Sequence, residues 1–397
     1  MWLQNTPNWF HALLLSTALI LLSLSNSFAD QVAHPRLPNQ AALRSDALVK
    51  QFIKHVAGGD FDKADTLVDF AAYADRVSKL VFDTTRQQQS FARGFVTGLQ
   101  QESFTERVFV AATVEATTFM PLGVDENGLQ IVRLNYESGG LEYIKFIVGR
   151  GPEGRLRIRD FKFASTGEYS SVGTATAVKY LIKPSDSILR RLFGGIEPNE
   201  ALLADFKKLG VLRAQGKNRQ AYELIQTFPD ALLNEKEWIL MSTTLASLFD
   251  EVVYRAELSK LEQRYGDDPK LAFMLIDHYF YQEDWVGALK AVQVSIQEWA
   301  DDGDLNTILA DLLLRNGQDS AAIEASLRAI KLEPTNEESH WGALELYNSV
   351  ARFNDAVDIL TKLQDQFSYR FTADEFQKNP QYSEFVKSSA FQNWAEQ

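Results

Sequence analysis

Residues 303–336 read GDLNTILADLLLRNGQDSAAIEASLRAIKLEPTN and decide the fold of the second half of the chain. The stretch holds two apolar helical patterns separated by Gly317, a residue type that suits a tight turn between helices. Pro334 ends the second pattern, because proline cannot continue a helix. The sequence therefore predicts a pair of antiparallel helices here.

The same residue classes return at one fixed interval on both sides of this stretch. Small side chains that let two paired helices approach each other recur at Ala288, Ala322 and Ala356. Large apolar side chains recur nine positions earlier, at Tyr279, Leu313 and Tyr347. Several classes that share one period predict stacked helical repeats. Two further helix pairs are expected before these, around residues 216–221 and 238–254.

The stretch 303–336 resembles one complete tetratricopeptide repeat, a family whose repeat is about 34 residues long. Its residues on the signature positions of that family are Leu309, Ala310, Leu313, Gly317, Ala322, Ala329 and Pro334. The neighbouring segments 269–302 and 337–370 match less fully, because Ala300 replaces the usual proline and Ala351 the usual turn glycine. The resemblance implies an all-α solenoid over residues 184–370 that binds another protein.

The resemblance also implies that the first helix of each repeat lines a concave groove, with the ninth position facing into it. Acidic residues occupy that position at Asp277, Asp311 and Glu345. Aromatic residues beside this row are candidate apolar anchors: Phe273, Phe280, Tyr281 and Trp341. Such a groove is expected to bind a basic or neutral segment of a protein partner. The alternative is that the acids form only a solvated helix face.

Charge is distributed unevenly along the chain. Residues 200–397 contain 19 Lys and Arg against 33 Asp and Glu, a balance of −14, whereas residues 1–199 contain 21 against 20, a balance of +1. A surface this acidic repels phosphate backbones and anionic lipid headgroups. We therefore expect no nucleic-acid binding and no direct membrane binding by the mature chain.

Residues 1–29 have the pattern of a secretory signal peptide. An uncharged run over residues 12–24 precedes Ser27 and Ala29, which fit a small-residue cleavage site. No Lys or Arg precedes the run, so an uncleaved anchor is the alternative. Cleavage after Ala29 predicts a periplasmic or secreted bacterial protein, with residues 30–43 as a linker.

Residues 44–183 read as an α+β domain. Helical patterns around residues 48–56, 60–74 and 91–99 come first, and period-two segments at 108–118, 129–136, 141–148 and 156–163 follow. Three helices followed by a curved antiparallel sheet resemble, in element order, the nuclear-transport-factor-two and ketosteroid-isomerase-like superfamily. That resemblance implies a cone-shaped domain with an internal pocket.

Signals for chemistry are weak in this sequence. Residues 149–154 spell a dinucleotide-binding pattern, but a strand follows them, so we expect a hairpin turn. Asp160, with His55 opposite, is a candidate general base in a pocket, whereas a β-bulge that turns Asp160 outward is the simpler interpretation. There is no cysteine, and the five histidines lack metal-ligand spacing. No cofactor, metal site or enzymatic activity is expected.

Residues 371–397 carry regularly spaced aromatic residues that suit a cap on the last repeat, with a mobile partner-binding tail as the alternative. The leading interpretation is an exported, non-catalytic scaffold of the bacterial cell envelope that binds a protein in its groove. The rival is a small-molecule-binding or enzymatic first domain that the repeats recruit to its place of action.

Overall fold

The computed structural model describes residues 39–101, 103–106, 108–109, 116–136, 140–183, 197–198 and 200–396. The predicted signal peptide and most of the predicted linker lie outside the described residues, so both stay predictions. The first described helix begins at Asn39, inside the predicted linker. Within the described part of the chain, no helix is both long and apolar enough to cross a membrane.

The described residues before the sheet contain four bounded helices: α1 (Asn39–Ala57), α2 (Phe61–Asp65), α3 (Phe70–Val81) and α4 (Thr85–Gln101). The prediction of one helix over residues 60–74 is wrong, because the chain breaks between α2 and α3. There Ile158 donates its N–H to the carbonyl of Leu67 at 2.9 Å and accepts the N–H of Asp69 at 2.7 Å. Asp69 then caps α3 by accepting the N–H of Ala72.

An antiparallel sheet follows in the order β1 (Ala116–Val124), β2 (Gln130–Tyr136), β3 (Leu141–Arg150), β4 (Leu156–Phe163) and β5 (Glu168–Tyr169). The predicted antiparallel meander is thereby confirmed. The strand expected to begin at Val108 begins at Ala116, and residues 104–106 and 108–109 are helical instead. The carboxylate of Asp65 fixes this helical segment by accepting the N–H of Phe104 at 3.0 Å.

The glycine-rich segment between β3 and β4 is a hairpin turn, as the sequence predicts. Gly151 donates its N–H to the carbonyl of Arg155 at 2.8 Å, and Gly154 has a φ of +73°, which favours glycine. Because β4 continues directly, no helix amino terminus follows this turn to hold a pyrophosphate.

The expected bulge is also present in β4. Ile147 pairs with Asp160, but the next residue, Val148, pairs with Ile158, so Arg159 is the extra residue.

Helix α5 (Ser170–Leu181) follows the sheet, and a two-stranded ribbon pairs β6 (Ile182–Lys183) with β7 (Glu197–Pro198). The sequence gives no clear signal for α5, which is rich in Ser, Thr and Val. Tertiary contacts hold it, since the hydroxyl of Tyr73 lies 2.9 Å from Ser170 Oγ and 2.7 Å from Thr174 Oγ1.

Pairs of helices joined by short turns make up the remainder of the chain. They are α6 (Glu200–Ala214) with α7 (Asn218–Ile225), α9 (Lys236–Ser247) with α10 (Glu251–Tyr265), α11 (Ala272–Tyr281) with α12 (Trp285–Glu298), α13 (Gly303–Arg315) with α14 (Asp319–Leu332), and α15 (Glu337–Ser349) with α16 (Phe353–Phe367). Short helix α8 (Asp230–Leu233) lies between the first two pairs. The five pairs in the described residues match the number that the sequence predicts.

The repeat register is confirmed by the turns and by the small residues. The corresponding turn residues of three successive pairs all have positive φ: Glu283 at 56°, Gly317 at 68° and Ala351 at 55°. Ala322 has no exposed surface, as expected for a residue where two helices meet.

The chain forms two compact units that divide between Met274 and Leu275, inside α11. In the first unit, one hydrophobic core runs from the sheet into helices α6 to α9, beyond the predicted domain boundary at residue 184. Lys236 at the start of α9 is 1% exposed, and its Nζ lies 3.1 Å from Glu168 Oε1 and 3.0 Å from Asp268 Oδ2. The α+β elements and the first helix pairs therefore share one core.

The second unit ends in the predicted cap. Helices α17 (Ala373–Gln377) and α18 (Ser389–Ala395) follow the last pair. The tail side chains Phe376, Tyr382, Phe385 and Phe391 are buried in one cluster with residues of α15 and α16. These contacts agree with a segment that covers the end of the last helix pair.

Candidate protein-binding face

Four acidic residues form a two-by-two array on the first helices of two successive repeats. Asp304 and Asp311 lie seven positions apart on α13, and Glu338 and Glu345 lie seven positions apart on α15. Seven positions are close to two helical turns, so each pair shares one side of its helix. Asp304 corresponds to Glu338 and Asp311 corresponds to Glu345, because the residues of each pair are one repeat period apart. We call these four residues the acidic face, of which Asp304 is the buried member at 7% exposed.

The two helices are held side by side by hydrogen bonds near their amino ends. Thr307 Oγ1 lies 2.9 Å from Ser339 Oγ, and Asn336, which caps α15, donates from its side chain to Asp304. This alignment brings corresponding acids of α13 and α15 near each other.

Like charges on the acidic face perturb one another. The pKa of Glu345 is raised to about 7, first by burial and then by the negative charges of Asp311 and Glu338, while Arg315 acts in the opposite direction. The pKa of Glu338 is raised by burial and by the charges of Glu337 and Asp304. Burial also raises the pKa of Asp311, against the opposing effect of Arg315. These carboxylates are therefore close enough to repel one another.

One cation on this face is positioned by aromatic rings. Arg315 Nε lies 2.7 Å from Asp311 Oδ2, and its guanidinium sits 5.2 Å from the ring centre of Phe280 and 4.8 Å from that of Trp285. The predicted anchor Phe280 is thus partly covered by Arg315. A partner that displaced this arginine would gain an aromatic surface and a carboxylate together.

Trp341, a predicted anchor, lies on α15 three positions after Glu338 and four positions before Glu345. Its side chain is partly exposed, and its ring packs edge-on against Tyr369 at 5.2 Å and Phe371 at 5.6 Å. Its indole N–H donates to Glu337 at 3.4 Å. The ring is held in place, which suits an apolar contact with low entropic cost.

The other predicted groove residues differ in exposure. Asp277 is only 4% exposed, so it belongs to the interior and not to an open acidic row. Phe273 is 1% exposed and packs edge-on against Tyr143 of β3 with ring centres 5.5 Å apart. It offers no surface to a partner. Tyr281 is partly exposed at the end of α11.

His55 and Asp160, the predicted pocket pair, contact different partners. Asp160 is 1% exposed, lies 3.1 Å from Arg76 Nε, and accepts hydrogen bonds from Ser171 and from the N–H of Phe161. The expectation that the bulge turns Asp160 outward is wrong, because Arg76 of α3 and Ser171 of α5 contact its carboxylate in the interior. His55 Nδ1 lies 3.8 Å from Asp60. Burial raises the pKa of Asp160, while Arg76 opposes that shift.

Sequence reasoning missed Asp304 and Glu338. The available signal was the combination of two spacings, since each stands seven positions before a predicted groove acid and the two are one repeat period apart. In the described part of the chain, no group of three or more His, Cys, Asp or Glu side chains is arranged to hold a metal ion.

Comparison with known proteins gives only distant likenesses. No protein-family model and no curated protein matches the chain. Among solved structures, "MamA MSR-1 C2" is 16% identical with a TM-score of 0.36 and covers 42% of this chain and 96% of its own. YrrB, described as a TPR protein with an unusual peptide-binding site, is 16% identical with a TM-score of 0.30 and covers 40% of this chain and 80% of its own. The assignment of helix pairs therefore rests on the contacts within this chain and not on these similarities.

Proposed function

We propose that this chain is an exported protein-binding scaffold of the bacterial cell envelope, whose acidic face binds a basic or neutral extended segment of another protein. The observation that carries the proposal is the placement of Asp311, Glu338 and Glu345 on two aligned helices, where the charges of Asp311 and Glu338 raise the pKa of Glu345. Clustered like charges cost stability, and a cationic partner relieves that cost on binding.

Two side chains beside the acids, the exposed Arg315 and the partly exposed Trp341, fit such a partner. Trp341 supplies a fixed apolar ring, and Arg315 pairs with Asp311, one of the four carboxylates. Arginine and lysine side chains of an extended segment would pair with the carboxylates, while an apolar residue would contact Trp341.

The test is a variant with Asp311→Asn, Glu338→Gln and Glu345→Gln, which keeps the shapes and removes three charges. The probe is a short labelled peptide of alternating Arg and Ala, with a Glu and Ala peptide as the negative probe. Affinity for the basic peptide should fall by roughly 1 kcal/mol or more, mainly through slower association, and its salt dependence should flatten.

A matched control removes three exposed acids from the second helices instead, as Glu324→Gln, Asp358→Asn and Asp365→Asn. Both variants have the same net charge. Equal loss of binding in the two variants would show that only overall charge matters and would refute the acidic face as a site.

Export is a separate part of the proposal and rests on residues 1–29 alone. A carboxy-terminally tagged chain should be recovered from bacteria with Asp30 as its first residue, because Ser27 and Ala29 suit the peptidase. Recovery of chains that retain Met1 in the membrane pellet would contradict it.

The rival function, catalysis or small-molecule binding in the α+β elements, rested on His55 facing Asp160. Asp160 is instead tied to Arg76 and Ser171, and His55 lies near Asp60. Among the described residues, these contacts favour a structural role for Asp160.

A further inference from the structure

The β3–β4 hairpin is a basic surface in an acidic protein. Residues 149–159 contain four arginines and one glutamate, a balance of +3, whereas the whole chain has a net charge of −13. The arginines are Arg150, Arg155, Arg157 and Arg159. Arg150 and Arg155 are exposed, and Arg157 and Arg159 are partly exposed. This concentration of positive charge is not needed to form a hairpin turn.

Carboxylates in the described part of the chain leave most of this charge uncompensated. Arg150 and Arg157 donate to the backbone carbonyls of Gly154 and Leu156, both at 3.0 Å, and not to acids. Arg159 is the one hairpin arginine with an ion pair among the described residues, 3.6 Å from Asp69. The hairpin therefore carries cations available to an external anion.

Two of the hairpin arginines lie against glycines of the turn and strand, and side chains held by such contacts lose less freedom on binding. Arg159 lies flat across Gly149, where an added Cβ would come within 2.6 Å of its Nε. Arg157 lies similarly across Gly151, whose Cβ would come within 3.1 Å of Arg157 Cγ. Glycines at these two positions let the arginine side chains lie against the strand.

We infer that the hairpin of residues 149–159 in one copy of this chain binds the acidic face of a second copy. The inference rests on the proposed function, since it names the basic segment that the acidic face takes. Arginine forks pair well with carboxylates, and the acidic face presents the carboxylates of Asp311, Glu338 and Glu345, the first of which already binds an arginine. A phosphate-rich partner is disfavoured by repulsion from the acidic remainder of the chain.

The contact joins two different surfaces, so it is heterologous. The copy at one end of such an assembly has an unused hairpin, and the copy at the other end has an unused acidic face. Further copies add at these ends to give open chains, or the two ends bind each other to close a ring. The acidic and basic surfaces thus give the protein a means of head-to-tail assembly.

Two variants test this contact with the full chain. The first, Arg150→Gln, Arg155→Gln and Arg157→Gln, neutralises the hairpin and keeps the acidic face. The second is the Asp311→Asn, Glu338→Gln and Glu345→Gln variant, which keeps the hairpin. In sedimentation velocity, the parent chain should associate with rising concentration and dissociate with added salt. Each variant alone should associate at least about tenfold more weakly.

An equimolar mixture of the two variants should form a heterodimer and nothing larger, because only one complementary contact remains. The control variant at Glu324, Asp358 and Asp365 should associate like the parent chain. A parent chain that stays monomeric at low salt, or a hairpin variant that associates as strongly as the parent chain, would overturn the inference.

The basic peptide separates failure of the inference from failure of the proposed function. Peptide binding by a parent chain that never self-associates would leave the function standing and refute the inference. Absence of both would refute both. A monomeric parent chain can instead be tested with phosphatidylglycerol vesicles. Binding that is lost in the hairpin variant would show that the hairpin binds an anionic surface, and it would also refute the inference.

Discussion

Each compact unit contains a cluster of charged side chains, and the two clusters are arranged in opposite ways. In the first, Lys236 lies between Glu168 and Asp268, and Asp160 lies against Arg76, so each of these buried ions has a partner of opposite sign. In the second, Glu345 lies near Asp311 and Glu338, and like charges raise its pKa. The ion pairs of the first arrangement hold neighbouring elements in fixed positions. The second arrangement has excess negative charge, which an external cation can neutralise.

Removing a charge is expected to affect the free energy of unfolding differently in the two arrangements. Removing one partner of a buried pair leaves an uncompensated ion, which costs several kcal/mol. Removing one member of a like-charged cluster relieves repulsion and should stabilise the fold. Neutralising Lys236 in the first unit and Glu345 in the second is therefore expected to change stability in opposite directions.

The largest expected effect is that of Lys236→Met. It removes the cation that Glu168 and Asp268 share, although Lys270 stays 3.4 Å from Glu168 Oε1, so the free energy of unfolding should fall by about 3 kcal/mol in urea titrations. Lys378→Met, which breaks an exposed pair with Asp374, is the control and should cost much less. Similar losses in the two variants would show that the Lys236 pairs are not structural.

Ala322→Leu tests whether the second unit depends on packing instead of ion pairs. Ala322 has no exposed surface, so three added carbons should cost about 1–3 kcal/mol of unfolding free energy. Ala395→Leu on the exposed side of α18 should change stability little. An unchanged melting temperature for Ala322→Leu would contradict the repeat register.

Glu345→Gln should stabilise the chain in a pH-dependent way. An acid whose pKa rises from 4.5 to about 7 on folding binds protons more tightly in the folded state, so stability falls as the pH rises through that window. After allowance for screening by solvent, the variant should be about 1 kcal/mol more stable at pH about 8. The two proteins should converge below pH about 4.5.

Glu324→Gln, at an exposed position on α14, is the control for that measurement. The quantity to compare is the difference in unfolding free energy from the parent chain across the pH range. A difference for Glu345→Gln that does not change with pH would mean that the cluster does not shift the titration of Glu345.

The smallest effects are expected at the turns of the second unit. Ala351 has a φ of 55°, a conformation that costs a residue with a Cβ about 1 kcal/mol, so Ala351→Gly should raise the unfolding free energy by about that amount or less. Gly317→Ala, at the equivalent turn, should lower it similarly. Thermal unfolding checks both, and shifts of the same sign would contradict the shared turn geometry.

The features that the sequence predicts correctly are those whose signal lies within a short segment of the chain. Gly317 at its turn, Ala322 between helices and the aromatic cap all follow from periodicity and residue size. Asp311 and Glu345 on the acidic face follow from the same period. Asp277 shares that period, yet it is 4% exposed, since period alone does not say what covers a helix.

The sequence by itself determined the helix pairs, their turns, the antiparallel sheet and its hairpin, because each depends on side-chain spacing within a short segment. Tertiary structure decided the break between α2 and α3, where Ile158 of a distant strand takes the backbone bonds of Leu67 and Asp69. It also decided the burial of Phe273 against Tyr143 and the partners of Lys236. Those outcomes depend on residues far apart in the chain, whose contacts override local preference.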